Sequence, residues 1–148
     1  MKICPFRSEN ARDVSNLIRK TLSESNRKYY PKSVIKFLSD EYSSEHIKNL
    51  SKKIDFFIAL DGKKIVGVVG LEKNYISSVF VLPKFQKKGV GKDLMKHVEK
   101  KAQTCGHKKV NLNSSINALD FYKKIGYELG NKVEEENYGI TYEMSKRL

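Results

Sequence analysis

The sequence predicts an α/β domain with a mixed, mostly antiparallel central sheet flanked by helices. Three observations predict it. Segments with a helical apolar repeat alternate with short β-branched runs. The strand-rich middle carries Asp61-Gly62, a tight-turn signal that joins antiparallel neighbours. The 148 residues, 39% of them hydrophobic, suit one core and one domain spanning 1–148.

Taken in order, Lys2–Phe6 reads as the first strand and Ser8–Ser23 as a helix. Val14, Leu17, Ile18 and Leu22 fall at helical spacing there, and Ser8 or Asn10 is the expected cap. Pro31 opens a second helical pattern with Val34, Ile35, Phe37 and Leu38. A third short helical piece is indicated from Ser44 to Leu50. Asp55–Leu60 and Lys64–Leu71 are the strands around the turn, the second rich in Ile and Val. Tyr75–Leu82 is the next strand, stopped by Pro83.

Val90–Thr104 is a long amphipathic helix: Val90, Leu94, Met95, Val98 and Ala102 make one apolar stripe, with Lys92, Lys96, Lys100 and Lys101 largely outside it. Gly106 is placed to end it. Lys108–Leu112 is a strand, Ile116–Ile125 a helix, and Tyr127–Val133 and Ile140–Lys146 a closing strand pair. The expected order is β-α-α-β-β-β-α-β-α-β-β, without the short piece at Ser44.

No apolar run approaches the roughly 20 residues of a membrane helix. Met1–Arg7 lacks the apolar stretch of a secretory signal, so a soluble, cytoplasmic protein with no membrane partner is expected. Cys4 and Cys105 form no Cys-x-x-Cys pair and have no His at metal spacing. They read as reduced thiols, and no metal is expected. The formal net charge of +12 favours polyanionic partners. Because the lysines are spread along the chain, a solvated surface plus one local phosphate site is the favoured reading over nucleic-acid binding.

The chemistry-bearing stretch is Val79-Phe80-Val81-Leu82-Pro83-Lys84-Phe85-Gln86-Lys87-Lys88-Gly89-Val90-Gly91-Lys92. An apolar strand ends at Pro83, and a glycine-punctuated loop opens the long helix. A helix start leaves backbone N–H groups unpaired and carries partial positive charge, so it binds anions. Glycines let a phosphate approach the backbone, and Lys87, Lys88 and Lys92 add charge. A nucleotide P-loop ending at Gly91-Lys92 would need Gly at Gln86 and Ser or Thr at Asp93. A dinucleotide fingerprint starting at Gly89 would need Gly or Ala at Leu94. Both fail.

On these residues the sequence resembles the GNAT superfamily of N-acetyltransferases, whose signature loop is [QR]-x-x-G-x-[GA]. Gln86-Lys87-Lys88-Gly89-Val90-Gly91 matches it at every fixed position, after Val81-Leu82-Pro83. A second block, Ser115 to Tyr127, is similar to the family's N-x-x-A-x-x-F-Y-x-x-x-G-[FY], with Ala118, Phe121, Tyr122, Gly126 and Tyr127 matching and Ser115 in place of Asn. Arg7, Asp13 and Leu17, and the strand Ile65-Val66-Gly67, fit as well.

The resemblance implies acetyl-CoA as co-substrate and a primary amine as acceptor, attacked directly in a ternary complex. It implies that the Gln86–Lys92 loop holds the CoA pyrophosphate and that backbone groups of Phe80, Val81 and Leu82 bind the pantetheine arm. Ser115 replaces one side-chain contact to CoA and can still cap its helix. A backbone N–H near Phe80 and Val81 would polarise the thioester carbonyl. Tyr122 is the implied general acid to the departing thiolate, its other reading being an aromatic packed beside Phe121. Where many relatives carry a basic Glu, this chain has Ile76-Ser77-Ser78, and Ser78 could hold a water that passes the proton outward. Glu72, Tyr75 and Asn111 are alternatives.

Tyr29 and Tyr30 either wall the acceptor pocket or pack under the helix pair. His46, His97 and His107 show no ligand spacing, with His97 expected on the wet side of its helix. Glu134-Glu135-Glu136 reads as a solvated turn or an amine-attracting rim in the loop between the last strands. The family's frequent homodimers make self-association an expectation. A basic nucleic-acid-binding module and a CoA-binding protein without turnover remain the alternatives.

Overall fold

The computed structural model describes residues 1–148. Its strands are β1 (Lys2–Pro5), β2 (Asp55–Asp61), β3 (Lys64–Glu72), β4 (Tyr75–Val81), β5 (Lys109–Ser115), β6 (Glu128–Glu135) and β7 (Gly139–Arg147). Its helices are α1 (Ala11–Glu24), α2 (Lys32–Glu41), α3 (Ser44–Leu50), α4 (Val90–Thr104) and α5 (Leu119–Lys124). One seven-stranded sheet runs β1-β2-β3-β4-β5-β7-β6. Every neighbouring pair is antiparallel except β4–β5, which is parallel. No helix is long and apolar enough to cross a membrane.

The expected α/β class and mixed sheet hold, with local differences that have physical causes. The element order gains α3, where the Ser43 hydroxyl accepts the His46 N–H and Ile47 is buried. The tight loop is Gly62-Lys63 rather than Asp61-Gly62: Asp61 still pairs with Lys64, and Gly62 takes the left-handed φ of +62°. β5 runs on to Ser115 because β7 pairs with it throughout, from Lys109 with Arg147 to Ser115 with Thr141. The predicted helix Ile116–Ile125 begins as a 3-10 turn, Ile116–Ala118, before α5. Asn10 caps nothing in α1, since its side-chain oxygen accepts the Arg7 N–H at 2.8 Å.

β3 is buried on both faces from Ile65 to Leu71. Both α1 and α4 pack against it. Such two-sided burial explains the unbroken apolar run in the sequence. Gly67 lets α4 close down on the sheet, since a Cβ there would stand 2.9 Å from Leu94 Cδ1. The predicted stripe of Val90, Leu94, Met95, Val98 and Ala102 is buried.

β4 carries a bulge. Phe80 pairs with Val68 and Ser77 with Gly70, so Ser78 and Val79 together oppose the single residue Val69. Ser78 adopts φ +55°, uncommon for a residue with a Cβ. Bulges re-aim side chains, and this one lies beside the cavity described next.

Candidate functional site

β4 and β5 pair in the sheet at one position, Tyr75 with Asn111. The Asn111 N–H donates to the Asn74 carbonyl at 2.9 Å, and the Asn74 side-chain amide donates to the Lys109 carbonyl at 3.1 Å. Past this clasp the parallel strands part. A cavity of about 390 Å³ fills the opening, lined by Ile76 to Val81 of β4, Leu112 and Asn113 of β5, and Phe121 and Tyr122 of α5.

The backbone direction along β4 decides which groups face this opening. The Leu82 N–H donates to the Val66 carbonyl at 2.9 Å, and the Leu82 carbonyl accepts from the Phe85 N–H at 2.8 Å. Both main-chain groups of Leu82 are therefore committed, which corrects the expectation that Leu82 offers one to a ligand. Backbone groups alternate sides along a regular strand, so Phe80 also faces β3 while both main-chain groups of Val81, and the Val79 carbonyl that shares a peptide plane with the Phe80 N–H, face the opening. The Val81 carbonyl is already taken, accepting from the Gln86 side-chain amide at 3.0 Å and from the Thr21 hydroxyl at 3.4 Å. Val79, which sequence reasoning passed over, joins Val81 as the strand's free edge.

From the turn after Gln86 into the first turn of α4 the chain presents six consecutive amides, Lys87 to Lys92, with no acceptor in the protein. Asp93 is the first residue to bond back, to the Gly89 carbonyl at 3.0 Å. Gly89 heads the helix at φ +88° with open space around it. Gly91 allows Phe121 to pack against the helix start, since a Cβ there would stand 3.1 Å from Phe121 Cζ. Lys87, Lys88 and Lys92 are exposed around these amides. Unpaired N–H groups, a helix start and three lysines make a concentrated anion site. Two predicted residues contribute differently. The Gln86 side chain turns inward to brace Val81 and Ser25, and the Val90 side chain is buried.

Tyr122 lines the cavity, its ring edge-on to Phe121 at 5.0 Å and Tyr127 at 5.7 Å. Its hydroxyl makes no hydrogen bond within the protein and is not sealed from solvent. Burial of the ring raises the phenol well above its ordinary pKa, so it stays protonated. Ser78 lines the same cavity, and its hydroxyl lies 2.8 Å from that of Tyr42, just past α2. Burial likewise raises the Tyr42 phenol.

Ser115 lines the cavity but caps nothing. The Tyr30 hydroxyl does the capping: it accepts the Ile116 N–H at 2.9 Å and donates to the Ile140 carbonyl at 2.6 Å. Tyr30 thus joins the packing and the cavity wall, while Tyr29 is exposed. Glu72 faces Lys53 at 3.7 Å, and Asn111 belongs to the clasp at the closed end. His97 is half-buried rather than wet, edge-on to Phe57 at 4.6 Å, and burial lowers its pKa. Glu134 and Glu135 extend β6 instead of forming the loop, Glu134 facing Lys132 at 3.4 Å. Tyr138 in the following turn stands at the cavity mouth, edge-on to Phe37 at 5.2 Å.

A sheet parted between two parallel strands, with an amide-lined turn heading the helix that follows the first, is the arrangement the resemblance to GNAT acetyltransferases implies. A family model described as an acetyltransferase (GNAT) domain matches residues 19–148. The uncharacterized N-acetyltransferase YjcF of Bacillus subtilis is 31% identical over 104 residues, 68% of this chain and 74% of its own. A GCN5-related N-acetyltransferase from Rhodopseudomonas palustris superimposes with a TM-score of 0.91 at 20% identity, covering 99% of this chain and 95% of that one. The PaiA N-acetyltransferase of Thermoplasma acidophilum, solved with coenzyme A, gives 0.82 at 20% identity over 100% of both chains. The chain belongs to the GNAT acetyltransferase family.

Proposed function

We propose that this protein transfers the acetyl group of acetyl-CoA to a primary amine by direct attack in a ternary complex. The observation that carries the reading is the row of unpaired amides from Lys87 to Lys92 beside an open cavity. That row, with Lys87, Lys88 and Lys92, fits the pyrophosphate of CoA in donor number and charge. Coenzyme A bound to the similarly folded PaiA protein is consistent with this. The outward edge of Val79 and Val81 takes the pantetheine amides as a neighbouring strand would. The Val81 N–H, free while its carbonyl is engaged, polarises the thioester carbonyl oxygen. The Tyr122 phenol donates a proton to the departing thiolate, and Ser78 receives the one that the attacking amine loses.

Calorimetry on the full chain tests the first step: acetyl-CoA should bind, and Gly91→Val should abolish the heat. A thiol-release assay across amines, peptides and antibiotics tests the second. Binding without thiol release in any mixture would leave a CoA-binding protein, and salt-sensitive nucleic-acid binding without acetyl-CoA binding would leave a basic module.

A further inference from the structure

Ser78 lines the cavity without a base beside it, yet its hydroxyl is engaged. Tyr42 OH and Ser78 Oγ lie 2.8 Å apart, and both side chains line the cavity. The arrangement is built from three parts of the fold. The bulge in β4 turns Ser78 at φ +55°, a conformation that costs energy for a residue with a Cβ. The Tyr42 ring is set edge-on to Phe80, two residues further along the same strand, at 5.4 Å. The Tyr42 carbonyl is tied to α1 by the Ser15 hydroxyl at 2.6 Å. A strained serine held against a fixed phenol next to the proposed reacting centre calls for a chemical account.

We propose that Tyr42 is the second link of a two-hydroxyl proton exit, Ser78 Oγ to Tyr42 OH to water at the cavity mouth. The proposal rests on the acetyl-transfer reading above and deepens it. The amine nitrogen attacks the thioester carbon, forming the C–N bond and an oxyanion on the former carbonyl. The nitrogen, now positive, passes a proton to Ser78 Oγ as Ser78 passes its own to Tyr42 OH and Tyr42 passes its own to water. The oxyanion collapses, the C–S bond breaks, and the thiolate takes the Tyr122 proton, which Tyr122 then recovers from solvent. The products are the amide and the free thiol of CoA, with no net change in protons for a neutral amine.

Neither hydroxyl needs to ionise in such a relay, which agrees with the raised Tyr42 phenol. Burial is the main cause. Tyr138 at the mouth, Glu41 on the preceding turn and Tyr75 on β4 act in the same direction, and the Ser78 hydrogen bond acts against it. Glu41 is itself engaged with His46 of α3 at 3.6 Å. No carboxylate is hydrogen-bonded to either hydroxyl, so a relay rather than a base is the chemistry this pair supports.

The test uses the full chain, acetyl-CoA and a panel of benzylamine, lysine methyl ester, kanamycin and a lysine-bearing peptide, carrying forward the amine with the fastest thiol release. Tyr42→Phe keeps the ring against Phe80 and should melt like the wild type. It is expected to lower kcat about tenfold to a hundredfold while KM for acetyl-CoA stays within about twofold. The Tyr42→Phe, Ser78→Ala double variant is expected to be no slower than Ser78→Ala, because the two hydroxyls act as one path. A solvent deuterium isotope effect on kcat should increase in Tyr42→Phe as proton exit becomes limiting. Turnover by the wild type that Tyr42→Phe matches within about twofold, or losses that multiply in the double variant, would overturn the relay alone. No thiol release by the wild type with any amine would overturn the acetyl-transfer reading, and the relay with it.

Discussion

The Tyr127 phenol donates a 2.6 Å hydrogen bond to Glu99, whose second carboxylate oxygen accepts from the Lys146 ammonium at 3.0 Å. Glu99 and Tyr127 are buried, and the Tyr127 ring braces Tyr122 edge-on at 5.7 Å. A carboxylate that satisfies two donors leaves both unpaired when removed. Glu99→Ala is therefore expected to cost about 3 kcal/mol, the low end for a broken buried pair because Lys146 keeps some solvent contact. Glu99→Gln keeps an acceptor for the phenol and should cost roughly 1 kcal/mol. Calorimetric melting checks both, at about 2–4 °C per kcal/mol for a chain of this size. Equal midpoints for the two variants would show that the carboxylate charge is not what Tyr127 and Lys146 require.

The distance from Gly91 to Phe121 sets a second expectation. A Cβ at Gly91 would stand 3.1 Å from Phe121 Cζ and 3.7 Å from Val81 Cγ2, so alanine asks Phe121 to give by a few tenths of an ångström. Branching at Cβ forces a larger shift at the head of α4, where the free amides lie. Gly91→Ala should hold acetyl-CoA within about tenfold of the wild type, whereas Gly91→Val should lose on the order of a hundredfold or more, roughly 2.7 kcal/mol. Titration calorimetry reads both affinities, and a Gly91→Val protein that binds like Gly91→Ala would move the ligand away from this turn.

What could be read in the sequence was what local pattern encodes. The apolar stripe of α4, and Gly89 and Gly91 at its head, lie within a few residues of one another, so helix, stop and loop were all legible. The bulge was not: Ile76-Ser77-Ser78-Val79 reads as ordinary strand, and the extra residue appears only when Val69 is set opposite it. The partnership of Tyr42 with Ser78 spans 36 residues and leaves no local trace. Leu82 was misassigned because the side to which its N–H points depends on register with Val66. Ser115 was misassigned as a cap because a more distant hydroxyl, that of Tyr30, took the Ile116 amide. Long-range pairing decided each of these, and no short motif reports it.

The buried phenols make stability fall in alkali. Burial raises Tyr122 above its ordinary value near 10, while the unfolded chain ionises there. A folded pKa above the unfolded one means that the contribution is complete below about pH 10 and is lost as pH rises toward the folded value. For this enclosed ring the loss approaches about 1.4 kcal/mol per pH unit in that window. Thermal melts of the wild type and Tyr122→Phe between pH 8 and 11 should run together at first and then diverge, the wild type falling faster. Curves that stay parallel throughout would show that Tyr122 does not resist ionisation in the fold.

The same variant separates packing from chemistry at neutral pH. The Tyr122 hydroxyl has no partner in the protein, so removing it breaks no hydrogen bond and leaves the ring contacts to Phe121 and Tyr127 in place. Tyr122→Phe should melt within about 0.5 kcal/mol of the wild type at pH 7. If the phenol protonates the departing thiolate, kcat should fall about tenfold to a hundredfold, with KM for acetyl-CoA nearly unchanged. The deficit should shrink with an acyl donor whose thiol is a better leaving group, because such a thiolate needs no proton. A uniform deficit across leaving groups, or a rise in KM without a fall in kcat, would assign Tyr122 to binding the co-substrate rather than to proton donation.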